Sequence, residues 1–272
     1  MRLDAHRHYW RYLPEDYPWI SDALAIFKRD FLPKDSAALD KALSIEGVIA
    51  VQARQSEVEN AFLMDLAQSS NIKGIVGWVD LCADNVAERL DFYRQSALMR
   101  GFRHLVQDEP NPSEFWGRED FNCGVSALQA HGFVYDILVK QADLSAAVAF
   151  SAKQDKALLV LDHLGKPNFH DFHGWYKSMQ ELAKMPHVNV KISGLLLEAG
   201  KNATFETVKP YVQSALELFG VERCMLGSDD PVCLLTHNRD EVVGFWQSAL
   251  AELSHSEQSA LGGETAKRIY GV

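Results

Sequence analysis

Cysteine is scarce and scattered. Cys82, Cys123, Cys224 and Cys233 are the only four in 272 residues, and no two stand in the C-x-x-C spacing of a zinc ribbon or redox pair. A disulfide framework is therefore excluded, and the thiols read as small buried hydrophobes. The 27 Lys and Arg residues form no run and the formal net charge is −10, which excludes a phosphate-neutralising nucleic-acid surface. No stretch of 18 apolar residues occurs, and Asp4, His6, Arg7 and His8 interrupt any signal-like apolar segment at the start. A soluble, cytoplasmic protein with a small-molecule ligand and neither nucleic-acid nor membrane partner is expected. A homo-oligomer is compatible with the sequence, but nothing in it sets a subunit number. There is no G-x-S-x-G elbow to support covalent acyl transfer, and no tandem repeat or low-complexity segment.

What the chain does have is a recurring alternation. Short runs rich in Val, Ile, Leu and Phe lie near residues 2–6, 47–53, 74–80, 101–106, 133–139, 158–163, 188–194 and 223–228. Each closes on a polar residue or Gly, and helical periodicity follows. The spacing leaves room for a βα unit and its return loop at every step. Eight such units predict α/β architecture, a single (β/α)8 TIM barrel over residues 1–272, and no composition break suggests a second domain. In the segment 57–67, Val58, Ala61, Phe62 and Leu66 form an apolar stripe expected to face the sheet. The segments near 84–98, 141–153, 203–219 and 238–254 read similarly. The connection from Tyr9 to about Lys34 carries Trp10, Tyr12, Tyr17, Trp19, Phe27 and Phe31 with three prolines. Placed after the first strand, these aromatics either roof a substrate pocket or simply pack the loop onto the barrel.

The chemistry is expected at the carboxyl ends of the strands. His6 and His8, two apart in a strand, share a face and can grip one ion. His163 ends the sixth run and Asp229 the eighth, so the barrel brings four metal-ligand side chains to one rim. Three imidazoles and a carboxylate suit zinc or a similar divalent ion. Asp229 can also accept a proton from an attacking water, and His163 is assigned a catalytic role beside it. His131, His187, His237 and His255 read as ordinary structural residues, and His170 and His173 as solvated loop residues.

These residues sit in motifs that resemble one family. Asp4-Ala5-His6-Arg7-His8-Tyr9-Trp10, Gly77-Trp78-Val79-Asp80, Phe102-Arg103-His104-Leu105, Leu161-Asp162-His163-Leu164-Gly165-Lys166-Pro167, Lys191-Ile192-Ser193-Gly194 and Gly227-Ser228-Asp229 are similar to the amidohydrolase superfamily. The branch is that of sugar-acid lactonases such as L-fuconolactonase and L-rhamnonolactonase, related to 2-pyrone-4,6-dicarboxylate lactonase. The resemblance implies a barrel hydrolase opening a lactone ring with water, with His6, His8, His163 and Asp229 at the family's metal or active-site positions. It implies one divalent ion, zinc first, although some members of the branch work without metal. The fifth strand offers no histidine, and the fourth offers Arg103 and His104 where binuclear members carry a bridging lysine, so a two-metal centre is not implied. Asp230 replaces a tryptophan common in the branch.

The predicted rim supplies Gln52, Trp78, Arg103, His104, Asp136 and Lys166 as substrate-binding candidates, with Asp80, Gln107 and Ser193 nearby. Donors, acceptors and a flat apolar face together suit a hydroxyl-rich ring. A one-residue register shift exchanges Arg103 and His104, so alternation does not decide which faces the pocket. The leading expectation is a lactonase acting on a sugar-derived lactone. The alternatives are a metal-dependent decarboxylase of an aromatic or unsaturated acid on the same barrel, and a non-catalytic sugar-acid-binding barrel.

Overall fold

The computed structural model describes residues 1–272. Eight parallel strands follow in sequence order around one sheet: β1 Leu3–Arg7, β2 Gly47–Val51, β3 Ile72–Gly77, β4 Met99–His104, β5 Val134–Ile137, β6 Leu159–Leu161, β7 Val188–Ile192 and β8 Cys224–Leu226. The seam between β1 and β8 is closed beyond the end of β8. There the Asp229 N–H donates to the His6 carbonyl at 2.9 Å and the His8 N–H to that of Asp230 at 2.8 Å. The closing contacts thus run through the residues predicted to do chemistry.

Most strands stop two or three residues short of the expected ends, so His8, His163 and Asp229 lie just past the ladders rather than in them. The physical reason is local at two of the three. His163 and Asp229 have φ of 54° and 56°, a left-handed conformation that no strand continues through.

Two apolar clusters separate the inside of the barrel from its jacket. Inside, Leu3, Ala5, Ile49, Val51, Val76, Val134, Val160 and Met225 pack with Ala266, Ile269 and Tyr270 of the C-terminal helix Thr265–Tyr270. That helix closes the floor. The larger cluster, 53 buried residues, fills the space between strands and outer helices. A register shift between Asp4 and Arg7 in β1 reverses its parity, so Leu3 and Ala5 fill the lower interior while His6 and His8 meet inside above them.

Helix Glu57–Ala67 corrects one expectation. Val58 is 68% exposed and Ala61 is exposed too, Phe62 and Leu66 pack partly against the core as expected, and the buried positions are Glu59, Asn60 and Leu63. Polar needs shift the buried face away from Val58 and Ala61: Glu59 accepts hydrogen bonds from the Ala53 and Arg54 N–H groups, and Asn60 bonds both the N–H and the carbonyl of Trp78. This helix therefore fixes two loops at the mouth. No helix is long and apolar enough to cross a membrane.

Candidate active site at the barrel mouth

The first strand delivers His6 and His8 with their Nε2 atoms 3.1 Å apart, both buried. The Nδ1–H of His8 donates to the Val51 carbonyl at 2.8 Å, which fixes its tautomer and leaves Nε2 as a free lone pair. Asp229 Oδ1 stands 3.5 Å from His8 Nε2 and 3.8 Å from His6 Nε2. Three donor atoms at these separations match ligands about 2 Å from one shared ion. The chemistry of the donor set, two imidazole nitrogens and a carboxylate oxygen, fits a borderline divalent metal.

His163 comes from the opposite side of the mouth. Its Nδ1 pairs with the Ser193 hydroxyl at 2.9 Å, and its ring centroid lies 4.4 Å from that of His6. The turn that holds it is unusual: His163, Leu164, Gly165 and Lys166 all have positive φ, from 47° to 71°. A left-handed turn of this kind costs about 1–2 kcal/mol per non-glycine residue. The Trp175 indole, donating to the Leu164 carbonyl at 2.8 Å, helps hold it. Gly194 completes the fit: with φ +65°, a Cβ there would come within 2.8 Å of His163 Nδ1 and 3.2 Å of Asp229 Oδ2.

Beneath the mouth lies a layer of charge. Lys191 Nζ donates to Asp136 at 2.5 Å and lies 3.0 Å from Asp162 Oδ1 and 3.2 Å from His6 Nδ1. Arg103 donates to Asp162 at 2.8 Å and to the Gln52 carbonyl at 2.6 Å. Burial lowers the pKa of His6 well below the ordinary range and that of His163 to about 4, so both rings are neutral and able to donate a lone pair at pH 7. Burial opposes ionisation of Asp229, but His163 and the other histidines outweigh it and hold the carboxyl well below its usual range. Burial, with Asp162 close by, pushes Asp136 up to about 6 against the pull of Lys191.

A pocket of about 280 Å³ opens over the cluster. His8, His163 and Asp229 form its base, Arg103, Gln107, Asp108 and Lys166 its polar wall, and Trp19, Leu105, Leu138, Leu197 and Val232 its apolar side. Arg103 and Lys166 both line this pocket. His104 does not: it points outward, stacked on Phe115 at 4.6 Å and bonded to Glu109 at 2.7 Å, because the actual register of β4 turns Arg103 inward. Gln52 lies one layer back, its amide donating to the Arg103 carbonyl at 3.1 Å. Trp78 is held by Asn60 outside the pocket lining, and Asp136 is deep in the barrel between Lys191 and Tyr270. The aromatic loop divides its labour: Trp10, Tyr17, Phe27 and Phe31 pack together, and Trp19 faces the pocket. Asp230 faces the seam, bonded to Arg239 at 2.8 Å and to Ser36 at 2.5 Å.

The amidohydrolase family model matches residues 3–272. The chain belongs to the amidohydrolase family. Among relatives, this amidohydrolase is similar to an L-fucono-1,5-lactonase of Burkholderia multivorans, 42% identical over 100% of this chain and 96% of the relative. An L-fucono-1,5-lactonase of Burkholderia ambifaria is 30% identical over 99% and 92%. Among solved structures, an amidohydrolase of Burkholderia multivorans crystallised with bound zinc superposes with a TM-score of 0.93 at 42% identity, covering 100% of this chain and 99% of that one.

Asp162 is the member of this amidohydrolase site that strand alternation missed. Neighbouring residues of a strand face opposite ways, yet Asp162 and His163 both reach the cluster because His163 leaves the extended conformation. The glycine two residues after His163 was the available signal for such a turn.

Proposed function

We propose that this protein is a lactonase that opens the ring of a sugar-derived lactone, with L-fucono-1,5-lactone as the first substrate to test. The observation that carries this reading is the full-length identity to two L-fucono-1,5-lactonases. The pocket supports it, since a mixed wall of Arg103, Gln107, Asp108 and Lys166 facing Trp19 and Leu197 suits a ring with hydroxyls on one edge and C–H groups on its face.

His6, His8 and Asp229 would hold one divalent ion, with His163 beside it and zinc the first candidate because the Burkholderia multivorans amidohydrolase carries it. Such an ion supplies Lewis-acid polarisation of a carbonyl and acidifies water. The residues themselves do the proton work. Asp229, ionised at neutral pH, accepts a proton from water as its oxygen bonds to the lactone carbonyl carbon. When the tetrahedral centre collapses and the ring C–O bond breaks, the same carboxyl returns the proton to the departing alkoxide. The product is a hydroxy acid. His163, neutral and fixed by Ser193, faces the carbonyl oxygen, and Arg103 and Lys166 take polar groups of the ring.

Replacing Asp229 with Asn tests the assignment. Loss of the general base is expected to lower kcat by about 10²- to 10⁴-fold, read as acid release in weak buffer from a panel of aldonolactones. Wild-type turnover in that variant would overturn the role.

A further inference from the structure

The barrel interior holds an ionic ladder where apolar layers would serve stability as well or better. Its lowest rung is Tyr270, on the helix that closes the floor. The Tyr270 hydroxyl contacts both carboxylate oxygens of Asp136 at 2.9 Å. Asp136 accepts from Lys191 at 2.5 Å, and the ammonium also meets Asp162 Oδ1 at 3.0 Å, His6 Nδ1 at 3.2 Å and the face of the Tyr270 ring at 5.3 Å. Asp136, Lys191, Asp162 and His6 are wholly buried. Asp162 in turn anchors Arg103 in the pocket wall. Every step is a hydrogen bond or ion pair between side chains, and the ladder ends on groups whose orientation the mouth depends on.

We propose that Tyr270 is a positioning residue for the site at the mouth, acting through Asp136 and Lys191 on His6 and Asp162. The floor helix does more than seal the barrel. By fixing the carboxylate of Asp136 it fixes where the Lys191 ammonium sits, and the ammonium with Asp162 sets the tilt of the His6 ring. Tyr270 does not line the pocket, so it orients and does not react. The inference rests on the proposed lactonase site.

The test is Tyr270→Phe beside Tyr211→Phe, which alters a buried tyrosine of the outer jacket. Three readings are taken on each: kcat and KM for lactone hydrolysis, the imidazole nitrogen spectrum of histidine-labelled protein, and the thermal midpoint. In Tyr270→Phe, kcat is expected to fall by about 10- to 100-fold, the size typical of removing a supporting partner. KM should stay within about twofold because the pocket lining is untouched, and the His6 ring resonances should move. Tyr211→Phe should change neither. Unchanged kcat with unchanged His6 resonances overturns the proposal, as does a loss that Tyr211→Phe reproduces at an equal drop in midpoint. If Tyr270→Phe does not fold, Asp136→Asn carries the same readings with the same outcomes. A wild-type protein that hydrolyses no lactone removes the lactonase reading alone, since the His6 spectrum still decides whether Tyr270 acts on that ring.

Discussion

At the scale of single residues, the site is built from side chains whose neighbours deny them freedom. His8 has one tautomer because a carbonyl oxygen only accepts, and Val51 occupies its Nδ1. Gly194 has no side chain because any Cβ would press on His163 and Asp229 at a φ that disfavours one. Gly194→Ala is therefore expected to cut lactone turnover at least as severely as it cuts stability. The strain adds about 1 kcal/mol to folding, whereas even a small displacement of His163 from Asp229 costs about 10²-fold in rate. Steady-state kinetics beside urea unfolding of the same variant checks this, and full activity would show that His163 need not sit where Gly194 allows. The residue scale is also where reading the sequence failed most visibly. Arg103 and His104 are adjacent and both polar, and only the register of β4 against β5, pairing Arg103 with Asp136, sends one inward and the other onto Phe115.

At the scale of elements, loops rather than strands place the chemistry, and helices place the loops. The segment after β1 is pinned across the mouth through an Arg54–Asp16 ion pair and through Tyr17, whose hydroxyl donates to Glu59 at 3.3 Å. Burial pushes Glu59 up to about 7 despite its backbone hydrogen bonds. Between its ordinary value and about 7, the folded chain holds a proton that the unfolded chain has released. The associated stability is full at acid pH and declines as pH rises through about 7. Glu59→Gln cannot ionise and should lose Glu59's share of that decline. The change in urea midpoint from about pH 5 to about pH 8 is expected to be less negative in the variant than in the wild type, the other titrating groups being common to both. An equal pH response in both proteins would remove Glu59 from the account. The same helix shows why periodicity alone misleads: a hydrophobic stripe at Val58 is cheap to expose, whereas the Ala53, Arg54 and Trp78 amides need partners, so Glu59 and Asn60 take the buried face.

At the scale of the molecule, the barrel gathers residues from position 6 to position 270 around one axis and stacks them in order: apolar floor, ionic ladder, ligand cluster, pocket. A divalent ion held at the cluster would bind the folded chain and not the unfolded one, and should therefore stabilise the whole. Zinc added to chelator-treated protein is expected to raise the thermal midpoint, worth about 2.7 kcal/mol at a hundredfold excess over Kd. His8→Ala should abolish the rise. An equal rise in that variant would place the bound ion elsewhere.

The sequence by itself determined the eight-fold alternation, the identity of the four ligand-type residues and their arrival at one rim. All of these follow from local periodicity and from the rule that barrel chemistry sits at strand ends. It also carried the family, because the motifs that bear the resemblance are contiguous. The tertiary structure decided what depends on contacts across the barrel: that Asp162 joins the cluster through a left-handed turn at His163, that Asp230 serves the seam with Ser36 and Arg239, and that Asp136 and Lys191 lie beneath the site. These side chains are placed by partners scattered through the chain. Burial makes each partner obligatory, and no local pattern records it.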